Sequence, residues 1–179
     1  MKHFEAENHC YFVTTTTEKR NRVFVDREHC QILCNMLFNM RARGKFLLIG
    51  FVTMPDHLHV LLVPRGGTTL PEIMRDLKKG SARLIGRRLG RAGKIWMDEY
   101  YETAIRSEEQ LLAALIYIHQ NPVKAGLAAT PEGFLFCSAN PAFDSDLGLA
   151  MGETAGVEDD PGYRVRERTP WWRTTPAIE

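Results

Sequence analysis

The run MPDHLHVLL at residues 54–62 contains two histidines separated by a single leucine. Since successive side chains of a strand point to opposite faces, a strand here places His57 and His59 on one face and Leu58 and Val60 on the other. Neutral imidazole is a ligand for many divalent ions, so such a pair can hold a metal ion from one side. Taken in isolation, such a pair is more often two half-buried histidines that satisfy their own hydrogen bonds, so the metal interpretation depends on a second signal downstream.

A second group of chemically capable residues lies about sixty positions downstream. Ser107 and Gln110 have the spacing of a capping box, and we expect the helix that they begin to run from residue 107 to 121 and to end at Pro122. On the helical wheel Tyr117 and Asn121 share a face one turn apart, so a phenol and an amide oxygen reach the same small volume. The predicted apolar side of this helix comprises Leu111, Leu112, Leu115, Ile116 and Ile118.

The charge of the chain is unevenly distributed along its 179 residues. Residues 1–132 hold 19 Lys and Arg against 14 Asp and Glu, whereas residues 133–179 hold 4 against 8. Between residues 75 and 94 there are eight basic residues and one acidic residue, Asp76. A basic helix can be a solvated surface, but this imbalance favours a polyanion, and nucleic-acid phosphate is the obvious one.

Basic and aromatic side chains supply the predicted DNA contacts. Basic residues are expected to meet phosphates, and aromatic rings near residue 100 offer faces for unpaired bases. For Trp96, packing in the core and contact with a base are interpretations of equal weight. The predicted DNA-binding residues are Arg75, Lys78, Lys79, Arg83, Arg87, Arg88, Tyr100, Tyr101 and Arg106.

The elements that must position these residues follow from the apolar periodicity. Strands are predicted near 10–17, 46–53, 57–63 and 95–105, and helices at about 27–43, from 70 to about 90, and at 107–121. This order predicts an α+β domain, a ferredoxin-like antiparallel sheet with helices packed on it, over residues 1–140. Residues 141–179 are predicted to be an irregular, partly disordered tail. Because no apolar run is long enough to cross a bilayer, we expect a cytoplasmic location and no membrane partner.

Several segments, taken in order, resemble one known family. They are MPDHLH at residues 54–59, Trp96 with YYE at 100–102, and YIHQNPVKAGL at 117–127. This ordered set resembles the IS200-like tyrosine transposases, specifically the REP-associated branch within the HUH endonuclease superfamily. Two positions depart from the family pattern, since Met97 replaces a glutamine and Thr103 a basic residue or histidine.

The resemblance implies the same fold and a specific chemistry. It implies that His57, His59 and Asn121 hold a divalent metal ion, Mg²⁺ or Mn²⁺, and that Tyr117 attacks a DNA phosphodiester. The expected product is a 5′-phosphotyrosine link and a free 3′-hydroxyl, with single-stranded or hairpin DNA as substrate. Relatives include monomers and domain-exchanged homodimers. The alternatives are a domesticated DNA-binding protein without turnover and a metal-dependent hydrolase that uses water in place of the tyrosine.

Overall fold

The structure, a computed structural model, describes residues 9–90 and 93–151. Its four strands are β1 (Cys10–Thr16), β2 (Phe46–Met54), β3 (His57–Pro64) and β4 (Tyr101–Ile105). They form an antiparallel sheet in the order β2-β3-β1-β4. This is the strand order of a ferredoxin-like sandwich, so the predicted α+β fold class is confirmed.

Helices cover both faces of the sheet. They are α1 (Arg27–Ala42), α2 (Leu70–Arg88), α3 (Glu108–Lys124) and the short α4 (Leu147–Met151). One core cluster joins Val13 and Val60 of the sheet to Leu33 of α1 and Leu77 of α2. A second cluster joins the opposite face of the sheet to α3 and α4. None of the helices in the described ranges is both long and apolar enough to cross a membrane.

The segment before β4 is not the strand that the sequence predicts from residue 95. Regular pairing covers Tyr101–Ile105, and upstream Trp96 forms an isolated bridge with Thr17. The Lys78 ammonium accounts for part of this difference, because it donates to the carbonyls of Asp98 and Glu99 at 2.7 and 3.4 Å. These backbone acceptors are therefore bound by a side chain and not by a neighbouring strand.

Helix α3 continues past the residue that was expected to end it. Pro122 lies inside the helix, which runs to Lys124. The stop comes from Gly126, whose φ of +69° is readily adopted by glycine, and Leu127 N–H then donates to the Pro122 carbonyl at 2.8 Å. The prediction that Pro122 terminates the helix was wrong, because a proline removes one N–H but the turn beyond it still satisfies the last carbonyls.

The start of α3 also differs in detail from the predicted capping box. Ser107 Oγ accepts from the Gln110 N–H at 3.2 Å, as expected of an N-cap. The Gln110 side chain, however, accepts from the N–H of Arg106 at 2.9 Å and not from that of Ser107. The helix therefore begins where the sequence predicts, but the hydrogen bond of the Gln110 side chain is made to the residue before the N-cap.

The buried face of α3 is rotated relative to the predicted apolar side. Leu111, Ile118 and Pro122 are buried, whereas Leu112 and Ile116 are 40% and 62% exposed. Gly50 of β2 lies directly beneath the buried face, since a Cβ there would lie 2.5 Å from Leu115 Cδ1. The missing side chain lets α3 lie close against the sheet along the line of residues 111, 115 and 118.

Part of the predicted tail belongs to the packed domain. Residues 136–138 run along the outer edge of β2, where Cys137 bridges Val52. Further on, the Asp146 carboxylate accepts from Arg41 Nε at 2.7 Å and from the N–H of Leu48 at 2.8 Å. The first eleven residues of the predicted tail, 141–151, are thus described in the structure, while residues 152–179 lie outside it.

Candidate active site

The His-x-His pair lies on the face of the sheet that α3 covers. In the β1–β3 register Thr16 is opposite His57, and Thr14 is opposite His59. The two imidazole centroids are 4.7 Å apart, with the rings in an edge-to-face arrangement. The expected sharing of one face is therefore confirmed, as the two-residue period of a strand requires.

Both imidazoles are oriented through their Nδ1 atoms. His57 Nδ1 lies 2.6 Å from Asp56 Oδ1, and His59 Nδ1 lies 2.7 Å from Thr14 Oγ1. A carboxylate accepts hydrogen bonds and cannot donate, so a neutral His57 carries its proton on Nδ1 and presents a lone pair at Nε2. Burial, and then the neighbouring His57, lower the pKa of His59 to about 4. His59 is consequently neutral at physiological pH, as a metal-ligating imidazole must be.

Tyr117 projects from α3 next to the histidines. Its ring centroid is 5.3 Å from that of His59 and 5.8 Å from that of Phe12, and Phe12 itself stacks on His59 at 5.4 Å. The Lys124 ammonium lies 5.7 Å from the Tyr117 ring centroid. Although it is packed on one side in this way, Tyr117 is 44% exposed. A phenol so placed is accessible to a large substrate and adjacent to a pair of possible metal ligands.

Asn121 follows Tyr117 by one turn of the same helix. It is half-buried, and its main-chain carbonyl accepts from the Ala125 N–H at 3.0 Å, which keeps the helix regular at this point. Four residues of an α-helix advance by about 6 Å, so the amide lies one step along α3 from the phenol. Its position is thus tied to that of Tyr117 through rigid backbone.

The two histidines supply part of the ligands that a divalent ion needs. Within residues 9–90 and 93–151, no group of three or more His, Cys, Asp and Glu side chains could hold a metal ion. An ion at the histidine pair would therefore complete its coordination with other donors, such as an amide oxygen, water or a phosphate oxygen. Two neutral imidazoles with further open positions are typical of a site where the substrate itself joins the coordination sphere.

The predicted phosphate-binding residues lie mostly on the opposite side of the molecule. Helix α2 packs on the sheet face that the histidines do not occupy. On it Lys79, Arg83 and Arg87 are exposed and spaced four residues apart, and we call these three the basic ridge. Arg75 and Arg88, also predicted, pair with Asp76 and Glu28.

Lys78 is engaged differently from its neighbours on α2. Besides its two carbonyl acceptors, its ammonium lies 5.8 Å from the Tyr100 ring centroid, and burial lowers its pKa. It therefore ties α2 to the segment before β4, a role that the sequence did not indicate. Arg106 is exposed at the end of β4, and Arg91 lies outside the described residues.

The aromatic residues near position 100 divide between different environments. Trp96 is buried, its Nε1 donates to Ser81 Oγ at 3.0 Å, and its ring lies 5.1 Å from that of Phe24, so it belongs to the core. Tyr100 is on the α2 side of the sheet. Tyr101 pairs with Thr14 on the histidine face and is 66% exposed. Of the two interpretations of Trp96, core packing is the one the structure bears out.

Sequence reasoning missed the residues that orient the histidines. Asp56 precedes His57 directly and could have been considered, because metal-binding histidines commonly donate their other ring N–H to a carboxylate. Thr14 is 45 residues from His59, and no local pattern connects the two. It becomes recognisable once the β1–β3 register is known.

Comparison with known proteins bears on the family of this chain. The family model described as "Transposase IS200 like" matches residues 5–121, well over half of the chain. The chain belongs to the IS200-like transposase family. A REP-associated tyrosine transposase from Escherichia coli (strain K12) is 25% identical over 117 residues, which cover 65% of this chain and 67% of that protein.

A solved structure of a REP-associated tyrosine transposase, bound to a REP hairpin, has a similar fold. It superposes with a TM-score of 0.65 over 80% of this chain and 87% of the other, at 21% identity. The likeness establishes that this IS200-like transposase shares the antiparallel sheet with helices packed on it.

Proposed function

We propose that this protein cleaves and rejoins single-stranded DNA through a covalent bond between Tyr117 and the 5′-phosphate of the cleaved strand. The observation that carries the proposal is the position of Tyr117, which is 44% exposed while its ring lies 5.3 Å from that of His59. A tyrosine used for packing alone would be expected to turn its ring into the core. Membership of the IS200-like transposases supports the same assignment.

In this mechanism His57, His59 and Asn121 hold a divalent ion, Mg²⁺ or Mn²⁺. When bound, the ion polarises the phosphate and offsets the charge that develops as the phosphodiester is attacked. The two Nδ1 hydrogen bonds keep the imidazoles from rotating, so both Nε2 atoms remain available on the same face. Asn121 contributes its amide oxygen from the turn of α3 that follows Tyr117.

Tyr117 supplies the nucleophile. Its phenolic oxygen gives up its proton to solvent and forms a bond to phosphorus, and the bond from phosphorus to the 3′-oxygen breaks. That oxygen takes up a proton from solvent and leaves as a 3′-hydroxyl, so the step is balanced in protons. The phosphodiester bond energy is retained in the phosphotyrosine, so a second 3′-hydroxyl can reverse the step without an energy-supplying cofactor. Helix α3, held against β2 at Gly50, fixes the attacking group relative to the histidine face.

The DNA would contact both sides of the sheet. The basic ridge offers positive charge for the backbone of a duplex stem, and Tyr101 on the other side of the edge strand β4 offers a ring for an unpaired base. A strand that leaves a stem on α2 and crosses the β4 edge would reach the face that carries Tyr117. A similar protein bound to a REP hairpin supports hairpin DNA as the substrate class.

The decisive experiment is detection of the covalent adduct. Protein is incubated with Mn²⁺ and a library of single-stranded hairpin oligonucleotides, and a protein–DNA species that survives denaturation is sought by gel and mass spectrometry. Tyr117→Phe is expected to abolish the adduct and retain DNA affinity, whereas the matched control Tyr101→Phe keeps the adduct. Tight DNA binding without any adduct would instead favour the domesticated DNA-binding protein. Cleavage that persists in Tyr117→Phe would favour a hydrolase that uses water.

A further inference from the structure

The turn between β2 and β3 is held by an unusually dense set of contacts at one residue, Asp56. Its Oδ1 lies 2.6 Å from His57 Nδ1, and its Oδ2 lies 3.3 Å from Arg20 Nη1. Its main-chain carbonyl accepts from the N–H of Thr17 at 2.8 Å and lies 3.0 Å from the Thr17 hydroxyl, whose single proton is shared with the Asn21 carbonyl at 2.7 Å. Every acceptor group of Asp56 is thus engaged by the adjacent histidine or by the segment that follows β1.

That segment has a backbone conformation that L residues rarely adopt. Lys19 and Arg20 have φ values of +53° and +52°, in the left-handed region and without glycine. Hydrogen bonds hold the conformation, including Glu18 N–H to the Ile95 carbonyl at 2.8 Å and Arg20 N–H to the Thr17 carbonyl at 3.0 Å. Strained backbone that the surroundings maintain in this way is characteristic of segments that position a functional group. Here the group positioned is the Arg20 guanidinium, which contacts Asp56.

We propose that Asp56 is a positioning residue that fixes the His57 ring with Nδ1 protonated and Nε2 directed to the metal site, and that Arg20 holds Asp56 in place for this purpose. The proposal rests on the function proposed above, because it assigns Nε2 of His57 as the ligating atom. It adds a second layer of residues to the site, in which the side chains of Arg20, Asp56 and His57 are hydrogen-bonded in series from the surface to the metal position. Thr14 restrains the orientation of the His59 ring through its own hydrogen bond to Nδ1.

His57 and His59 differ in the residue that binds Nδ1, and this difference explains why an outer partner matters more for His57. Thr14 Oγ1 can either donate or accept, so it restrains the His59 ring without selecting the tautomer. The Asp56 carboxylate can only accept, so it selects the tautomer as well as the ring orientation. His57 is also the less enclosed of the two. Its side chain is 17% exposed, whereas His59 is a buried residue with 5% of its surface exposed. It therefore depends more on a hydrogen bond and less on packing for its orientation.

The first test measures Mn²⁺ affinity of the full-length protein by calorimetry, with no DNA present. Loss of an outer partner of a ligating histidine lowers metal affinity by roughly 10- to 100-fold, and we expect this of Asp56→Ala. Asp56→Asn keeps an acceptor oxygen and is expected to lose less, as is Arg20→Ala. Asp76→Asn, which removes a surface carboxylate paired with Arg75, is the matched control and should bind as the wild type does.

The second test examines the ring itself in metal-free protein. Nitrogen NMR of labelled histidine is expected to show His57 protonated at Nδ1 in the wild type and a mixture of tautomers in Asp56→Ala. Wild-type Mn²⁺ affinity together with an unchanged tautomer in folded Asp56→Ala would overturn the proposal. Failure of the proposed function has a different signature, since His57→Ala would then bind Mn²⁺ as well as the wild type does. The tautomer measurement still decides the role of Asp56 in that case.

Discussion

Replacing Gly50 with alanine tests how strictly the sheet determines the position of the nucleophile. A Cβ at residue 50 would lie 2.5 Å from Leu115 Cδ1 and 3.3 Å from Ser138 Oγ, so the leucine must change rotamer or α3 must move outward. Overpacking of this kind costs about 1–3 kcal/mol, and the reduced freedom of the unfolded chain offsets about 0.4–1 kcal/mol of that cost. We expect Gly50→Ala to lower the free energy of unfolding by roughly 1–2 kcal/mol.

A double-mutant cycle assigns this cost to one contact. Leu115→Ala removes the atom that the new Cβ would meet, so in the double variant the effect of Gly50→Ala should fall to near zero. The expected coupling is about 1–2 kcal/mol, measured by urea denaturation with circular dichroism. Gly93→Ala is the control, because a Cβ there meets nothing within 4 Å.

The rate of adduct formation gives the same experiment a functional readout. If α3 moves outward in Gly50→Ala, Tyr117 moves with it, and the rate per folded molecule should fall by more than the loss of folded protein explains. Restoration of the rate by Leu115→Ala in the double variant would assign the effect to the placement of the helix. Additive stability changes in the cycle would refute the close approach of α3 at Gly50.

Three further outcomes follow from the site and its surroundings. Alanine at Lys79, Arg83 and Arg87 should weaken binding to hairpin and unrelated DNA alike, and each lost phosphate contact should reduce the slope of log affinity against log salt by roughly one unit in anisotropy titrations. Asn121→Ala should lower Mn²⁺ affinity and the cleavage rate with little change in thermal stability, and a large stability loss at unchanged metal affinity would contradict its role as a ligand. In metal-free protein, burial and then His57 lower the pKa of His59 to about 4, while the unfolded chain takes up the proton near pH 6.5. Between these values the unfolded state binds more protons than the folded state. The contribution of His59 to the free energy of unfolding should therefore be complete above pH 6.5 and should fall by up to roughly 3 kcal/mol as the pH drops toward 4. His59→Gln should flatten this dependence in denaturation curves collected across the pH range.

Local patterns predicted the elements that carry the site. The β3 strand and the shared face of His57 and His59 follow from a two-residue period, which no distant contact needs to enforce. The predicted start of α2 at residue 70 is confirmed, and in the structure Thr69 and Glu72 form a capping box at that point. In each case the signal and the structure that it determines lie within a few residues of one another.

Tertiary contacts decided the features that the sequence did not reveal. The wheel placed Leu112 and Ile116 on the apolar side of α3, but both are exposed, because the helix packs on β2 through Leu115 and Ile118 at Gly50, more than sixty residues away. Trp96 is in the core because Ser81 and Phe24 meet it there. The restraint of the histidines likewise depends on Thr14, which strand pairing alone brings to His59.

The contacts along β2 have a consequence for how the chain avoids association with other chains. The N–H groups of Leu48, Phe51 and Thr53 point outward from this edge, and they donate to Asp146 Oδ2, Ser138 Oγ and the Phe136 carbonyl at 2.8–3.0 Å. A strand edge of this length with unpaired N–H groups is a template for aggregation, and here residues 136–146 cover that edge by binding its outward N–H groups. Because this cover is made after the rest of the sheet during synthesis, a chain interrupted near residue 135 would present an uncapped apolar strand. The segment that contributes least to the chemistry thus keeps the nascent domain from joining its neighbours edge to edge.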